Sequence, residues 1–252
     1  MLWSQLTWEE IPEVLRDANY SAILPVGSTE QHGPHLGTGV DGIIAKQVCQ
    51  VASDRTKVPM LPTLMYGCSL GHSRRWPGTI AIQPVTFIEF VVQIGNWAYY
   101  SGVRRLFIVN SHVTNSAPLR CALETLRAEH DDLMIAVLDS PTLSERIQQR
   151  NNADARDWHA NEAETSLMLA IAPEMVRSDK VESADDPDRT TQLVFAHPVN
   201  RTSINGVTGQ PTQSTKVKGQ ELFSWMCDDL VDLIQRGMHE NPPLNFSYFS
   251  RS

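Results

Sequence analysis

A chain of 252 residues suits one large α/β domain or two small ones, at roughly 150 residues per domain. Its 41% hydrophobic and 20% charged residues, with 14 Gly and 15 Pro, exclude disordered, collagen-like and coiled-coil chains. A formal charge of −8, from 21 Lys and Arg against 29 Asp and Glu, would repel a phosphate backbone, so no nucleic-acid partner is expected. Cys49, Cys68, Cys121 and Cys227 are far apart with no CxxC pair and read as reduced core residues rather than a zinc site or disulfide framework. The N-terminus lacks a basic segment and no run approaches 18 apolar residues, so neither a signal peptide nor a membrane span is expected and a cytoplasmic location follows.

Thr7, three residues ahead of Glu10, predicts a short helix to Arg16. Ala22 to Gly27 is a short apolar run ended by glycine, which predicts a strand buried on both faces; Pro25 places it at an edge or near its end. From Asp41, the spacing of Ile44, Val48 and Val51 predicts a crossover helix. Val58 to Pro62 is extended, and Trp76 to Ile80 reads as a turn and a short β-like run. A long helix follows over about 86–100, then a strand at 106–109, a helix over 119–129 and a strand at 134–138. Strand alternating with helix is the order of a parallel α/β sheet with right-handed crossovers. Residues 148–157 read as a loop, 160–171 as a helix, 179–215 as mainly irregular and a candidate cover over a site, and 218–236 as a terminal amphipathic helix. With no internal repeat and no linker, a single domain over 1–252 is expected.

The polar residues after the strands carry the chemistry. Glu30 and His32 follow the first strand, and His112 follows the second, where open parallel sheets bind ligands. A single strand-end histidine suits a structural role as well, but two such loops from successive strands converge on one place. Asp41 stands where a helix cap belongs, which is its alternative role. Glu164 shares a helical stripe with Ala160, Leu167, Met168 and Ile171, so a carboxylate faces the core. Such a group must be paired, protonated or bound to a metal, the plain alternative being an ion pair to Arg74, Arg75 or Arg120. Glu162, about 160° away around the helix, is expected to face solvent. Three carboxylates and two imidazoles suit Zn²⁺, Mn²⁺ or Fe²⁺, and one bridging carboxylate lets five ligands hold two ions. His159, beside Trp158, is a candidate proton shuttle. A P-loop pattern is absent from the sequence.

The run Pro25 to Leu36, with Asp41 downstream, resembles the opening signature of the creatininase family of metal-dependent amidohydrolases. Tyr66-Gly67 with His72, Pro77 to Ile80, Asn110 to Asn115, His159 to Ser166, Gly206 to Gly209 and Lys218-Gly219 continue the likeness in order. The resemblance implies one three-layer α/β/α domain with a mostly parallel sheet, a dinuclear centre and a homohexamer. By position it places Glu30, Asp41 and His112 on one ion and His32, Asp41 and Glu164 on the other, with Asp41 bridging. Thr114 stands where creatininase proper carries a liganding glutamate, so the second ion relies on Glu164. The expected reaction is hydrolysis of a C–N bond in a cyclic amide or formamide, with His159 and Glu164 catalytic, zinc as the leading metal, and Trp76, Trp158 and Ser111 against a small-molecule substrate. A cyclic-ketone hydrolase, a modified-peptide peptidase and a metal-retaining binding protein without turnover are the alternatives.

Overall fold

Three apolar runs become three parallel strands, β1 (Ser21–Val26), β2 (Arg105–Asn110) and β3 (Met134–Asp139), in the order β1-β2-β3. The computed structural model describes residues 1–72, 74–244, 246, 247 and 249. Ser21 stands opposite Arg105 and Arg105 opposite Met134, so Val26, Asn110 and Asp139 end the strands at one level. Around the strands lie α1 (Ile11–Asp17), α2 (Val40–Thr56), α3 (Pro84–Tyr100), α4 (Ser116–Glu129), α5 (Glu145–Asn151), α6 (Glu162–Ile171), the single turns α7 (Ser178–Val181) and α8 (Val199–Thr202), and α9 (Lys216–His239).

Because side chains alternate along a strand, the two sheet faces collect different partners. Ile23, Phe107 and Val109 pack with Val40 and Val48 of α2, Leu167 and Met168 of α6, and Leu222 and Leu230 of α9. Ala22, Leu24, Leu106 and Ile108 pack on the other face with Phe87 and Val91 of α3 and Leu119 and Leu126 of α4. The result is the three-layer α/β/α arrangement. Pro25 shapes the edge: Ile23 donates to Pro59 (3.0 Å) and Gly27 to Leu64 (2.9 Å), but proline has no N–H for this row, and residues 58–64 join β1 through isolated bridges only.

Several boundaries differ from the sequence pattern. Residues 145–151 form α5 where a loop was expected from Gln148, because Ile147 is driven into the core and Asn151 donates to the carbonyls of Pro141 (3.1 Å) and Ile147 (3.0 Å). α6 starts at Glu162, since the Asn161 side chain caps it by accepting from the Glu164 amide (3.1 Å). Thr79-Ile80 forms no strand; Ile80 donates to Thr29 (2.9 Å) and is exposed. Cys121 is exposed on α4, unlike the three buried cysteines, and all four are free thiols. Among the described residues no helix is long and apolar enough to cross a membrane.

Two contacts hold the site-bearing parts. α6 and α9 cross at Gly219, where an added Cβ would lie 1.7 Å from the Ser166 carbonyl oxygen. The irregular 184–209 segment is pinned by Asp186, whose backbone pairs with Gly209 and whose carboxylate takes Ser203 Oγ (2.8 Å), the Ile204 amide (2.7 Å) and Arg189 (2.6 Å). Burial raises the Asp186 pKa, but these donors outweigh it and hold it below its usual value.

Gly219→Ala is expected to cost about 1–3 kcal/mol in urea unfolding, because backbone cannot yield as a side chain would. An unchanged midpoint would show that the crossing is looser than this contact requires. Asp186→Ala is expected to cost about 1–3 kcal/mol at pH 7. A depressed folded pKa contributes stability above the unfolded value of about 3.9 and loses it as pH falls through the folded value, so the gap between parent and variant should close in unfolding curves taken below about pH 4. A gap that persists at pH 2 would contradict this.

Candidate metal centre

The loops that leave β1 and β2 meet the first turn of α2 above the strand ends. Gly27 makes this possible, since a Cβ there would lie 2.3 Å from the Gly42 amide nitrogen. Asn115 locks the loops together, accepting from the Cys68 amide (2.8 Å) and donating to the Gly27 carbonyl (3.0 Å). Gly33, at φ +68°, turns the chain after His32.

Glu30, His32, Asp41, His112 and Glu164 come together there, each at most 5% exposed. Asp41 lies between two groups: Oδ1 is 3.3 Å from His32 Nε2, and Oδ2 is 3.1 Å from His112 Nδ1. On one side His112 Nδ1 is 3.3 Å from Glu30 Oε1; on the other His32 Nε2 is 3.7 Å from Glu164 Oε1. Despite this proximity, Glu30 Oε2, His32 Nε2 and Asp41 Oδ2 have no aligned hydrogen-bond partner among the described residues. Leaving buried polar atoms unpaired is costly, and acceptors gathered a few ångströms apart without alignment are what a cation between them would satisfy. The far side of each imidazole is occupied: His32 Nδ1 is 3.2 Å from the Glu30 carbonyl, and His112 Nε2 is 3.1 Å from the Cys68 carbonyl and also meets Thr114 Oγ1. A nitrogen held to a carbonyl carries the proton, which frees His32 Nε2 and His112 Nδ1 toward the centre.

The electrostatics have one cause, burial of opposite charges together. Burial disfavours charge on His32, but Asp41 and Glu164 outweigh it and raise its pKa well above the usual value; Glu30 and Asp41 do the same for His112. Burial would raise the Asp41 pKa, yet His32 and His112 hold it far below. His159 and His72 are pushed down by burial and neighbouring imidazoles, and His35, bonded through Nε2 to Thr165 (2.8 Å), falls to about 4.

The other expected residues divide. Among the described residues no arginine pairs with Glu164; its Oε2 accepts from the Ala160 amide (2.6 Å), a residue held at φ +49°. Asp41 is not the helix cap, a position filled by Gly39; it lies within the first turn, where the helix dipole favours a carboxylate. Glu162 is buried rather than solvent-facing, because Arg150 of α5 pairs with it and Ser166 donates to it (2.8 Å). A cavity of about 440 Å³ opens over the centre, lined by His159, Trp158, Ser111 and the 193–197 segment among others. The 179–215 segment thus covers the site, as its composition led us to expect. Ser111 Oγ is engaged with Ser140 Oγ (2.7 Å). Trp76 is outside the cavity lining and lies under Arg75 instead. Sequence reasoning assigned no role to His72 or Gln31. His72 Nε2 is 3.2 Å from Glu30 Oε2 and Gln31 touches both His72 and His159, but neither stands on a periodic stripe that would have marked it.

The profile of one protein family, described as creatininase (creatinine amidohydrolase), matches residues 4–234. The chain belongs to the creatininase family. This creatininase-family protein is 32% identical over 234 residues to the mycofactocin precursor peptide peptidase of Mycobacterium tuberculosis (strain CDC 1551 / Oshkosh), covering 86% of each chain. It is 30% identical over 259 residues to the creatinine amidohydrolase of Pseudomonas putida, covering 95% of this chain and 96% of that one. Solved creatininases superpose on it closely. A mutant creatininase of Zn-Zn type has a TM-score of 0.83 at 25% identity, covering 95% of this chain and 98% of that one. A creatininase described as the Mn form has a TM-score of 0.82 at 25% identity, covering 95% and 99%. The family is one of hydrolases, and Zn-Zn and Mn forms are among its solved members.

Proposed function

We propose that this creatininase-family hydrolase cleaves the C–N bond of a cyclic amide, a formamide or a related small amide at two divalent ions. Glu30, Asp41 and His112 would hold one ion, and His32, Asp41 and Glu164 the other, with Asp41 shared. The carrying observation is the set of buried donors without aligned partners, which converge on Asp41 from both sides. When bound, such ions lower the pKa of water toward 7 and polarise a carbonyl oxygen. Zinc suits the mixed N/O donors best, and manganese or iron(II) fit them too.

The chain's own residues supply the rest. His159 Nε2 is 2.8 Å from the Gln31 carbonyl and Nδ1 is 3.8 Å from Glu30 Oε1, so Nδ1 is the atom that takes a proton from the attacking water and passes it to the leaving nitrogen. The Ala160 amide orients Glu164. Trp158, held by Asn152 (2.9 Å), and Leu193, Val194 and Phe195 wall the cavity, orient substrate and exclude water. Ser111 stands at the same wall as a polar contact. One catalytic domain over 1–252, a cytoplasmic location and a homo-oligomer, a hexamer by family resemblance, complete the proposal.

A second reading, hydrolysis of a peptide C–N bond, is favoured by one feature. A further cavity of about 380 Å³ shares His112, Val113, Asp157 and Trp158 with the first, so the cleft continues past the centre and gives room for an extended substrate. Comparing kcat/KM for small cyclic amides, formamides and short peptides separates the two readings.

Metal analysis of the parent, Glu164→Ala and His112→Ala tests the shared claim. About two ions per chain are expected in the parent, and fewer in each variant, with turnover down by more than the 10–100-fold typical of losing an outer-shell partner. Full metal content and full turnover in both variants would overturn it.

A further inference from the structure

The Gln31 side chain is 4% exposed and its direction is set by backbone. Oε1 accepts from the Gly33 amide (2.9 Å) and Nε2 donates to the Gly206 carbonyl (3.0 Å). Exchanging the two ends would set N–H against N–H and oxygen against oxygen, so the amide has one orientation. Its nitrogen therefore faces His72 Nδ1 at 3.2 Å. A primary amide has two hydrogens; Gly206 takes one and His72 Nδ1 the other. His159 Nε2 is also 3.2 Å from the amide nitrogen, but it has the Gln31 carbonyl at 2.8 Å, which can only accept.

We infer that Gln31 is a positioning residue that sets the tautomers of His72 and His159. Both carry hydrogen on Nε2, but the two rings are turned differently, with opposite consequences. His72 Nε2 lies 3.2 Å from Glu30 Oε2, not aligned for a hydrogen bond, but its N–H still sets the positive end of a dipole beside that oxygen. By distance alone His72 groups with Glu30 and His159 as a possible metal-ligand set. Its proton removes it from that set, holds one oxygen of Glu30 aside and leaves Oε1 to face His112. His159, in the cavity wall, keeps Nδ1 bare, 3.8 Å from Glu30 Oε1, as a proton acceptor requires. The same amide joins the cover to the centre through Gly206, at φ +89°, where a Cβ would lie 2.1 Å from Gln31 Oε1. What Glu30 does rests on the two-ion reading; the tautomers do not.

Neutron diffraction from deuterium-exchanged crystals, metal-free and zinc-loaded, reads the tautomers directly. Nε2 deuterium is expected on both rings of the parent. In Gln31→Glu, where a carboxylate only accepts, the deuterium on His72 should move to Nδ1 while His159 stays unchanged. Zinc affinity by calorimetry should fall about 10–100-fold in Gln31→Glu and in His72→Phe, with partial rescue in His72→Gln, which keeps an N–H for Glu30. Nδ1 deuterium on His72 in the parent, zinc bound to His72 Nε2, or an unchanged His72 in Gln31→Glu would overturn the inference. The parent's own tautomers decide its first half even if a variant does not fold. A parent that binds no zinc would remove the two-ion reading instead, and the role of Gln31 would then be decided by the tautomers of the metal-free crystals.

Discussion

Three carboxylates, those of Glu30, Asp41 and Glu164, are buried together at the carboxyl end of a parallel sheet with no arginine or lysine paired to them among the described residues. Like charges sealed away from water repel strongly, and the fold is stable with them there only if positive charge is supplied between them. His32 and His112 are the protein's own donors, and when metal-free their raised pKa values show the demand for that charge. Divalent ions would meet the demand more fully and would leave the imidazoles neutral, as ligands must be. Part of the formal charge of −8 is therefore a property of this centre and not of the surface.

The rest of the architecture serves that burial. β1 and β2 end level, so their loops reach the same point, and Gly27 lets the first loop press against α2 until Asp41 lies between the two imidazoles. Asn161 caps α6 so that Glu164 points inward, and Ala160 accepts an unusual backbone conformation that turns its amide onto that carboxylate. Glu162, two residues earlier, is buried equally well but is answered by Arg150. Glu162 is closed by a guanidinium whereas Glu164 faces an imidazole 3.7 Å away, and that contrast is what makes Glu164 the candidate ligand of the two.

Much of this was legible in the chain. Short apolar runs marked the strands, and the stripe shared by Leu167, Met168 and Glu164 marked an inward carboxylate, because these signals depend on period alone. What period does not carry was missed. The burial of Glu162 depends on Arg150, in a helix whose polar sequence reads as a loop and which forms around Ile147. Gln31 and His72 matter through contacts between segments far apart in sequence, and Trp76 was placed near the cavity by chemistry without any signal for direction. Cys121 fell on the outer face of α4, where its hydrophobicity gives no warning of exposure.

The central claim is that cations occupy the space on either side of Asp41. Anomalous diffraction at the zinc edge, from crystals of the zinc-loaded protein, tests it most directly. Two peaks are expected, one within about 2.0–2.2 Å of each Asp41 oxygen, the first also beside His112 and Glu30 and the second beside His32 and Glu164. No anomalous peak between these side chains, with Asp41 hydrogen-bonded to two protonated histidines instead, would contradict it.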